Sequence, residues 1–479
     1  MSSELVDAVI VGFGGAGAAA AITAHDLGAN VVVLEKAESG GGSTAVSGGN
    51  IRLLNDAAGA IRHFSSLCGP ATPPEVIAAY VAGLATLPDW LRGLGGELVP
   101  HDQNSRRALS VVREGSGFPG APDADAIGSR VQIARPATMT GGQAIWQLLA
   151  SNVARRNVPV EYGVRVSRLL RSAAGRITGV EILHGRSARK LRSRGGVVLA
   201  CGGFAWAPDL HLDQFGAVLP ALSPPDRNTG DGIRLAQEVG AQLWHMSAIA
   251  ARFGLKAPGY QAAFTCDPPS QGVFLVDQTG RRFMNETGVS RQVAGLCMLD
   301  RDPGTGRMAR CPSYLIFDET TRLKGPFGDQ ISGYNYGYQW SHDNSAEIER
   351  GWIIQADSIP GLAKTLGLPV DWLGRTASRY NAACETGDDD WGRTPETMEA
   401  VVKPPFYAVP VWPCLLNTQG GPRRSARAEV LDVHGQPIPG LYSAGELGSM
   451  WGPLYPGAGN LTEALVTGQL AARSVTAAL

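Results

Sequence analysis

One stretch near the start constrains this chain more than any other. An apolar run over residues 6–11 enters Gly12-Phe13-Gly14-Gly15-Ala16-Gly17, an alanine-rich segment follows, and Val31-Val32-Val33-Leu34-Glu35 returns as a second apolar run. Strand, glycine turn, helix and second strand in this order make a βαβ unit suited to a dinucleotide. Gly12 permits the tight turn, Gly14 lets backbone approach a pyrophosphate, and Gly17 lets the helix close on the strand. Gly15 and Ala16 open the helix, whose free N–H groups and positive dipole end face the phosphates. Glu35 stands where a carboxylate accepts hydrogen bonds from ribose hydroxyls, and it would repel a 2′-phosphate. A structural glycine turn is the competing reading. The register of strand, glycines, helix, second strand and acid favours an ADP-containing cofactor, with NADP disfavoured.

The 479 residues, 44% of them hydrophobic, suffice for two or three domains with real cores. Lys+Arg 42 against Asp+Glu 43 leaves a net charge of -1, so no global field recruits nucleic acid. The seven cysteines are scattered, without CxxC or CxxCH, which argues against a disulfide framework, an iron–sulfur cluster and c-type haem. No apolar run reaches the ~18–20 residues that span a bilayer, and no leader is evident, so no integral membrane segment and a cytoplasmic location are expected.

Residues 36–49, KAESGGGSTAVSGG, hold too much glycine and small hydroxyl for a regular element. They read as a loop against the cofactor, with Lys36, Gly42, Ser43, Thr44, Ser47, Gly48 and Gly49 facing it; a flexible linker is the alternative. A helix beginning near Thr72 is expected to break at Pro88 and resume. Residues 100–136 read as an irregular segment near the active-site mouth. Thr140 caps a helix, and residues 158–183 alternate as strands with a glycine turn; in a two-dinucleotide-fold flavoenzyme such a hairpin packs beside the adenine, with backbone from about Val164 to Val166. The run GVVLACGGF over residues 196–204 is a buried strand that brings Ala200 and Gly202 to the cofactor. In NTGDG, Asp231 either caps the following helix or supports the cofactor loop. Residues 250–404 lack this patterning and read as an inserted domain between a cofactor-binding part at 1–249 and another at 405–479. Residues 430–446 form a hairpin, a strand and a Gly-Glu pair, and residues 461–477 a closing helix.

GFGGAG with Glu35, GGGSTAVSGG, VVLACGGF, NTGDG, GRRFMNE over residues 280–286, and GLYSAGE together resemble the FAD-dependent fumarate reductase and 3-ketosteroid dehydrogenase superfamily. The resemblance implies an α/β protein in which a discontinuous Rossmann-like FAD-binding domain carries an inserted α+β catalytic or capping domain, with the active site between them. It implies that Gly445 and Glu446 meet the ribityl and phosphate part of FAD, and that backbone near Asn460 and Leu461 faces the flavin pyrimidine. Ser43 and Thr44 stand where succinate dehydrogenases carry their linking His, so FAD is expected to be non-covalent. Asn417-Thr418-Gln419-Gly420-Gly421 and Tyr455-Pro456-Gly457-Ala458-Gly459 replace the His and Arg segments that clamp a dicarboxylate.

YPGAG is similar to the ketosteroid dehydrogenases, which implies that the Tyr455 hydroxyl and the Gly459 amide bind a substrate ketone and stabilise the enolate. An ordinary Tyr-Pro-Gly turn is the alternative. Arg291 follows the RFMNE segment near the place of the fumarate reductase proton donor, and equally suits a carboxylate clamp or a surface ion pair. Tyr334, Tyr336 and Tyr338 offer a displaced base, with Tyr336 the representative choice. The expected activity is insertion or reduction of a C=C bond beside a carbonyl, on a 3-ketosteroid or other cyclic ketone; the alternative is reduction of an unsaturated carboxylic acid. The partners are then a small-molecule substrate and an electron donor or acceptor that the sequence does not identify.

Overall fold

The computed structural model describes residues 4–101, 118–184, 187–328, 333–335 and 337–479. Strand Glu4–Val11 lies parallel between Val31–Leu34 and Ser187–Leu199, with Val9 opposite both Val32 and Val197. Pro437–Ser443 adds in parallel beyond Ser187–Leu199, and Val160–Glu161 beyond Val31–Leu34. The antiparallel Glu429–Leu431 and the hairpin of Arg165–Arg171 with Ile177–His184 complete eight strands. Side chains alternate across a strand, so Ala8, Ile10, Val31 and Val33 pack on one face while Val9, Val11, Val32 and Leu34 pack on the other. Both faces are covered, which is why these strands read as unbroken apolar runs.

Helices Gly15–Asp26 and Gly459–Ala477 lie together on the first face. Their small residues set the spacing: a Cβ on Gly468 would come within 2.4 Å of the Ala16 carbonyl oxygen, and one on Gly17 within 1.9 Å of that of Gly12. The βαβ unit predicted from the glycines is present in register.

A second, six-stranded sheet belongs to the inserted region. It runs Phe264–Thr265, Ile249–Leu255, Phe406–Thr418, Ser313–Asp318, Val273–Val276, with Ile354–Ala356 also on Phe406–Thr418. Strand Phe406–Thr418 lies beyond the boundary expected at 404, yet one half pairs with Ser313–Asp318 and the other with Ile249–Leu255. It carries the chain from the inserted sheet to the first domain and delivers Asn417 and Thr418 between them.

Three local expectations need correction. Helix Pro74–Gly93 passes through Pro88 unbroken. Leu84, Leu87 and Leu91 are fully buried on its inner face, and that burial offsets the ~3 kcal/mol cost of an interior proline. The glycine-rich loop contains one helical turn, Gly42–Val46, entered through Gly41 at φ 111°. The segment after residue 100 is not irregular throughout: Ile127–Ile133 pairs with both Ile51–Leu54 and Leu98–Pro100.

Candidate active site

A cleft between the two sheets encloses about 1600 Å³ of atom-free space, including its open mouth. Its floor is the end of the first strand and the glycine turn. Gly12, Gly14, Gly15, Ala16, Glu35, Lys36, Gly42, Ser43, Thr44, Ser47, Gly48, Gly49, Val166, Ala200, Gly202, Asp231, Gly445, Glu446, Asn460 and Leu461 all line it. Gly17 does not; it serves the contact of helix and turn.

Glu35 is oriented by backbone: Phe13 N–H donates to its Oε2 at 2.8 Å and Ala37 N–H to its Oε1 at 2.9 Å. Thr44 Oγ1 accepts from Gly15 N–H at 3.1 Å, and Ser43 Oγ accepts from Asn228 Nδ2 at 2.8 Å. Those hydroxyls thereby bind the small-residue loop to the glycine turn and to the segment before Asp231. Asp231 makes no side-chain cap to its helix. It pairs instead with Lys36 at 2.9 Å and Arg165 at 2.9 Å, which ties the second strand, the hairpin and the NTGDG segment together. Burial is the largest effect and opposes its charge, but Lys36, Thr229 and Arg165 together outweigh it and hold the carboxyl below its ordinary range. Cys201 also lines the cleft; burial pushes its thiol up to about 12, so it is not a nucleophile at neutral pH.

The far end is assembled from distant elements. Tyr455, 4% exposed, accepts a hydrogen bond from Asn460 N–H at 3.2 Å, and the Asn417 amide also reaches its oxygen. Burial raises the phenol above its ordinary range, so it stays protonated at neutral pH. Asn417 Oδ1 accepts from Gln419 Nε2 at 2.9 Å, which turns its amide nitrogen toward Tyr455. Gly459 sits behind the lining residues Ala458 and Asn460, where a Cβ would meet the Trp451 ring at 2.8 Å.

Arg291 lines the cleft and donates to Asp267 at 3.0 Å, an ion pair that is partly exposed there. Asp267 also accepts from Arg252 at 2.8 Å, and Arg252 lines the cleft as well. Tyr334 is at the cleft wall, whereas Tyr338 donates to Glu347 at 2.6 Å among the aromatic residues of the inserted domain. Tyr336 lies outside the described residues. The RFMNE segment is structural: Arg282 pairs with Glu286 at 2.8 Å and also with Asp389, and Glu286 accepts from Leu275 N–H at 3.0 Å.

FAD fits these residues. Both polar atoms of the Asn460 side chain are buried at the cleft without a protein partner among the described residues, an arrangement that costs free energy unless a ligand supplies one. A Cβ on Gly14 would have its nearest neighbour 3.8 Å away, so glycine there leaves open room rather than relieving a clash. Glu446, half-buried, accepts from Thr418 N–H at 3.1 Å and Thr418 Oγ1 at 3.3 Å. Sequence reasoning missed Arg252, which lies in no motif, and the positioning role of Asn417, whose segment reads only as lacking a clamp residue; both reach the cleft through the inserted sheet.

Fold and cleft together define a two-domain, dinucleotide-fold flavoprotein. A family model described as "FAD binding domain" matches residues 7–461, and the chain belongs to that family. FAD is its cofactor. Among characterised relatives, the digoxin reductase of Eggerthella lenta is 28% identical, over 98% of this chain and 87% of the relative. The 3-oxosteroid 1-dehydrogenase of Mycobacterium tuberculosis is 28% identical over 98% of both chains. The solved 3-ketosteroid delta1-dehydrogenase from Sterolibacterium denitrificans, in complex with 1,4-androstadiene-3,17-dione, superposes with a TM-score of 0.84 over 100% of both chains at 22% identity, which shows the shared fold.

Proposed function

We propose that this protein is an oxidoreductase that forms or reduces a C=C bond beside a carbonyl group, on a 3-ketosteroid or other cyclic ketone held between the FAD-binding and inserted domains. One observation carries the proposal: the buried phenol of Tyr455, at the cleft wall, accepts from Asn460 N–H and so retains its own proton for a substrate oxygen.

FAD, when bound, supplies the exchange of a hydride with the substrate carbon β to the carbonyl. Tyr455 donates to the ketone oxygen, polarises it, and stabilises the negative charge that develops as the α-proton leaves. Gly459 begins the final helix, where first-turn amides lack intrahelical acceptors, and its N–H is the second donor in this proposal. A phenol from the segment bearing Tyr334 and Tyr336 moves the α-proton. Arg291 is unsuited to that step, because a guanidinium is not deprotonated at neutral pH. FAD is held without a covalent link, since Ser43 and Thr44 stand in the loop and are engaged by Asn228 and Gly15. The seven unpaired thiols accord with a reducing cytoplasm.

A second reading has its own observation. Arg291 and Arg252 meet on Asp267 at the cleft, a charged wall that suits an unsaturated carboxylic acid better than a neutral ring. Tyr455→Phe separates the two. For a ketone substrate kcat falls at least about 100-fold, as loss of an oxyanion donor requires, while flavin that acid can release stays bound. Unchanged turnover removes Tyr455 from the mechanism and favours the acid.

A further inference from the structure

Arg52 is a fully buried cation behind the Tyr455 end of the cleft, and it lies outside every motif in the sequence. It sits on strand Ile51–Leu54, with no exposed surface, directly opposite Arg130 on Ile127–Ile133. Its Nη2 donates to the carbonyl oxygens of both Pro456 and Gly457, the two residues that follow Tyr455. Those carbonyls are 404 and 405 residues away in sequence, so this one side chain fixes the Tyr455 turn to the glycine-rich half of the protein. Arg52 does not line the cleft; it acts from behind.

We propose that Arg52 is a positioning residue for Tyr455: one guanidinium nitrogen holds the turn that carries the phenol, and the group places a buried positive charge behind it. The second half rests on the role assigned to Tyr455 above.

The charges around that phenol support the assignment. Arg52 and Arg130 face Tyr455 from the two paired strands and both favour its ionised form, against the larger opposing effect of burial. Tyr80, from helix Pro74–Gly93, faces Arg52 and Tyr455; its hydroxyl pairs with Thr462 Oγ1 at 2.7 Å, which also donates to the Gly459 carbonyl. Asn417 and Asn460 contribute neutral donors, and Arg291 stands across the cleft. Burial brings the Arg52 guanidinium down to about 9, with Arg130 adding to the effect, so at neutral pH it remains charged. In a dry site a fixed cation a few ångströms behind a hydrogen-bond donor transmits its field to the oxygen that the donor serves.

Two substitutions separate the clamp from the charge. Arg52→Gln keeps an amide donor for the carbonyls and removes the charge; Arg52→Lys keeps the charge on one donating nitrogen. Fluorotyrosine-labelled holoenzyme, with the Tyr455 resonance assigned through Tyr455→Phe, is compared by fluorine NMR at pH 7, where Arg52 is charged. The expected result is a displaced Tyr455 resonance in Arg52→Gln and one near the native position in Arg52→Lys. On a ketone that bleaches the native flavin, kcat in Arg52→Gln is expected to fall about tenfold or more with KM nearly unchanged, and Arg52→Lys to recover part of it. An unmoved resonance in Arg52→Gln, or a kcat loss that follows flavin loss in both variants alike, overturns the assignment. If the native enzyme turns over no ketone, the substrate proposal fails, and the resonance alone then decides the role of Arg52.

Discussion

Tyr455 and Glu446 line the same cleft and both are pushed toward their protonated forms by burial, with different consequences. For Tyr455 protonation is the working state in the proposed mechanism. For Glu446, burial pushes the carboxyl from 4.5 up to about 7, with the Thr418 donors resisting. Below its ordinary value the folded and unfolded states are both protonated and nothing is lost. Between 4.5 and about 7 the unfolded chain gives up its proton first, so stability falls as pH rises, and above about 7 the whole penalty applies. Glu446→Gln in the FAD-free protein is therefore expected to gain about 1–3 kcal/mol of stability near pH 8 and almost nothing near pH 4, read from denaturant unfolding at both pH values. A gain independent of pH would show that Glu446 is not titrating there. Residues at this scale were legible in the sequence where a motif fixed them: Glu35, Thr44, Gly445 and Asn460 all reach the cleft. Arg52 and Arg252 were not, and of Asn417 only its segment was, because an Arg or Asn on a strand carries no local signal of what packs against it from hundreds of residues away.

The elements show where local patterns suffice and where packing overrides them. The βαβ unit could be read from glycines because each serves a steric need within the unit itself. Gly17→Ala tests this: the added methyl carbon would meet the Gly12 carbonyl oxygen at 1.9 Å, so helix or turn must move. Thermal unfolding of the holoprotein is expected to show a loss of at least about 2 kcal/mol, with weaker FAD retention. Wild-type stability would mean that the helix does not pack on the turn as described. Pro88 and strand Ile127–Ile133 were misread for the opposite reason. The proline is tolerated because leucines on either side of it are buried against other elements, and the strand exists because Ile51–Leu54 and Leu98–Pro100 flank it. Neither cause is present in the local sequence.

In the whole molecule, the proposed function assigns the cofactor and the substrate to different parts of the chain. The glycine turn, Glu35 and the Lys36–Asp231–Arg165 cluster form one end of the cleft and are fixed by contacts within the first domain. The other end is built by strand Phe406–Thr418, the Tyr455 turn and the Asp267–Arg252–Arg291 group, so it depends on how the inserted sheet meets the first. The family follows from the first end, and the choice between ketone and acid follows from the second. That choice is the central claim, and anaerobic titration of the purified yellow holoenzyme tests it most directly. Separate additions of a saturated 3-ketosteroid, a simple cyclic ketone and succinate are followed by flavin absorbance. The account predicts bleaching by the ketones and none by succinate; bleaching by succinate alone would contradict it.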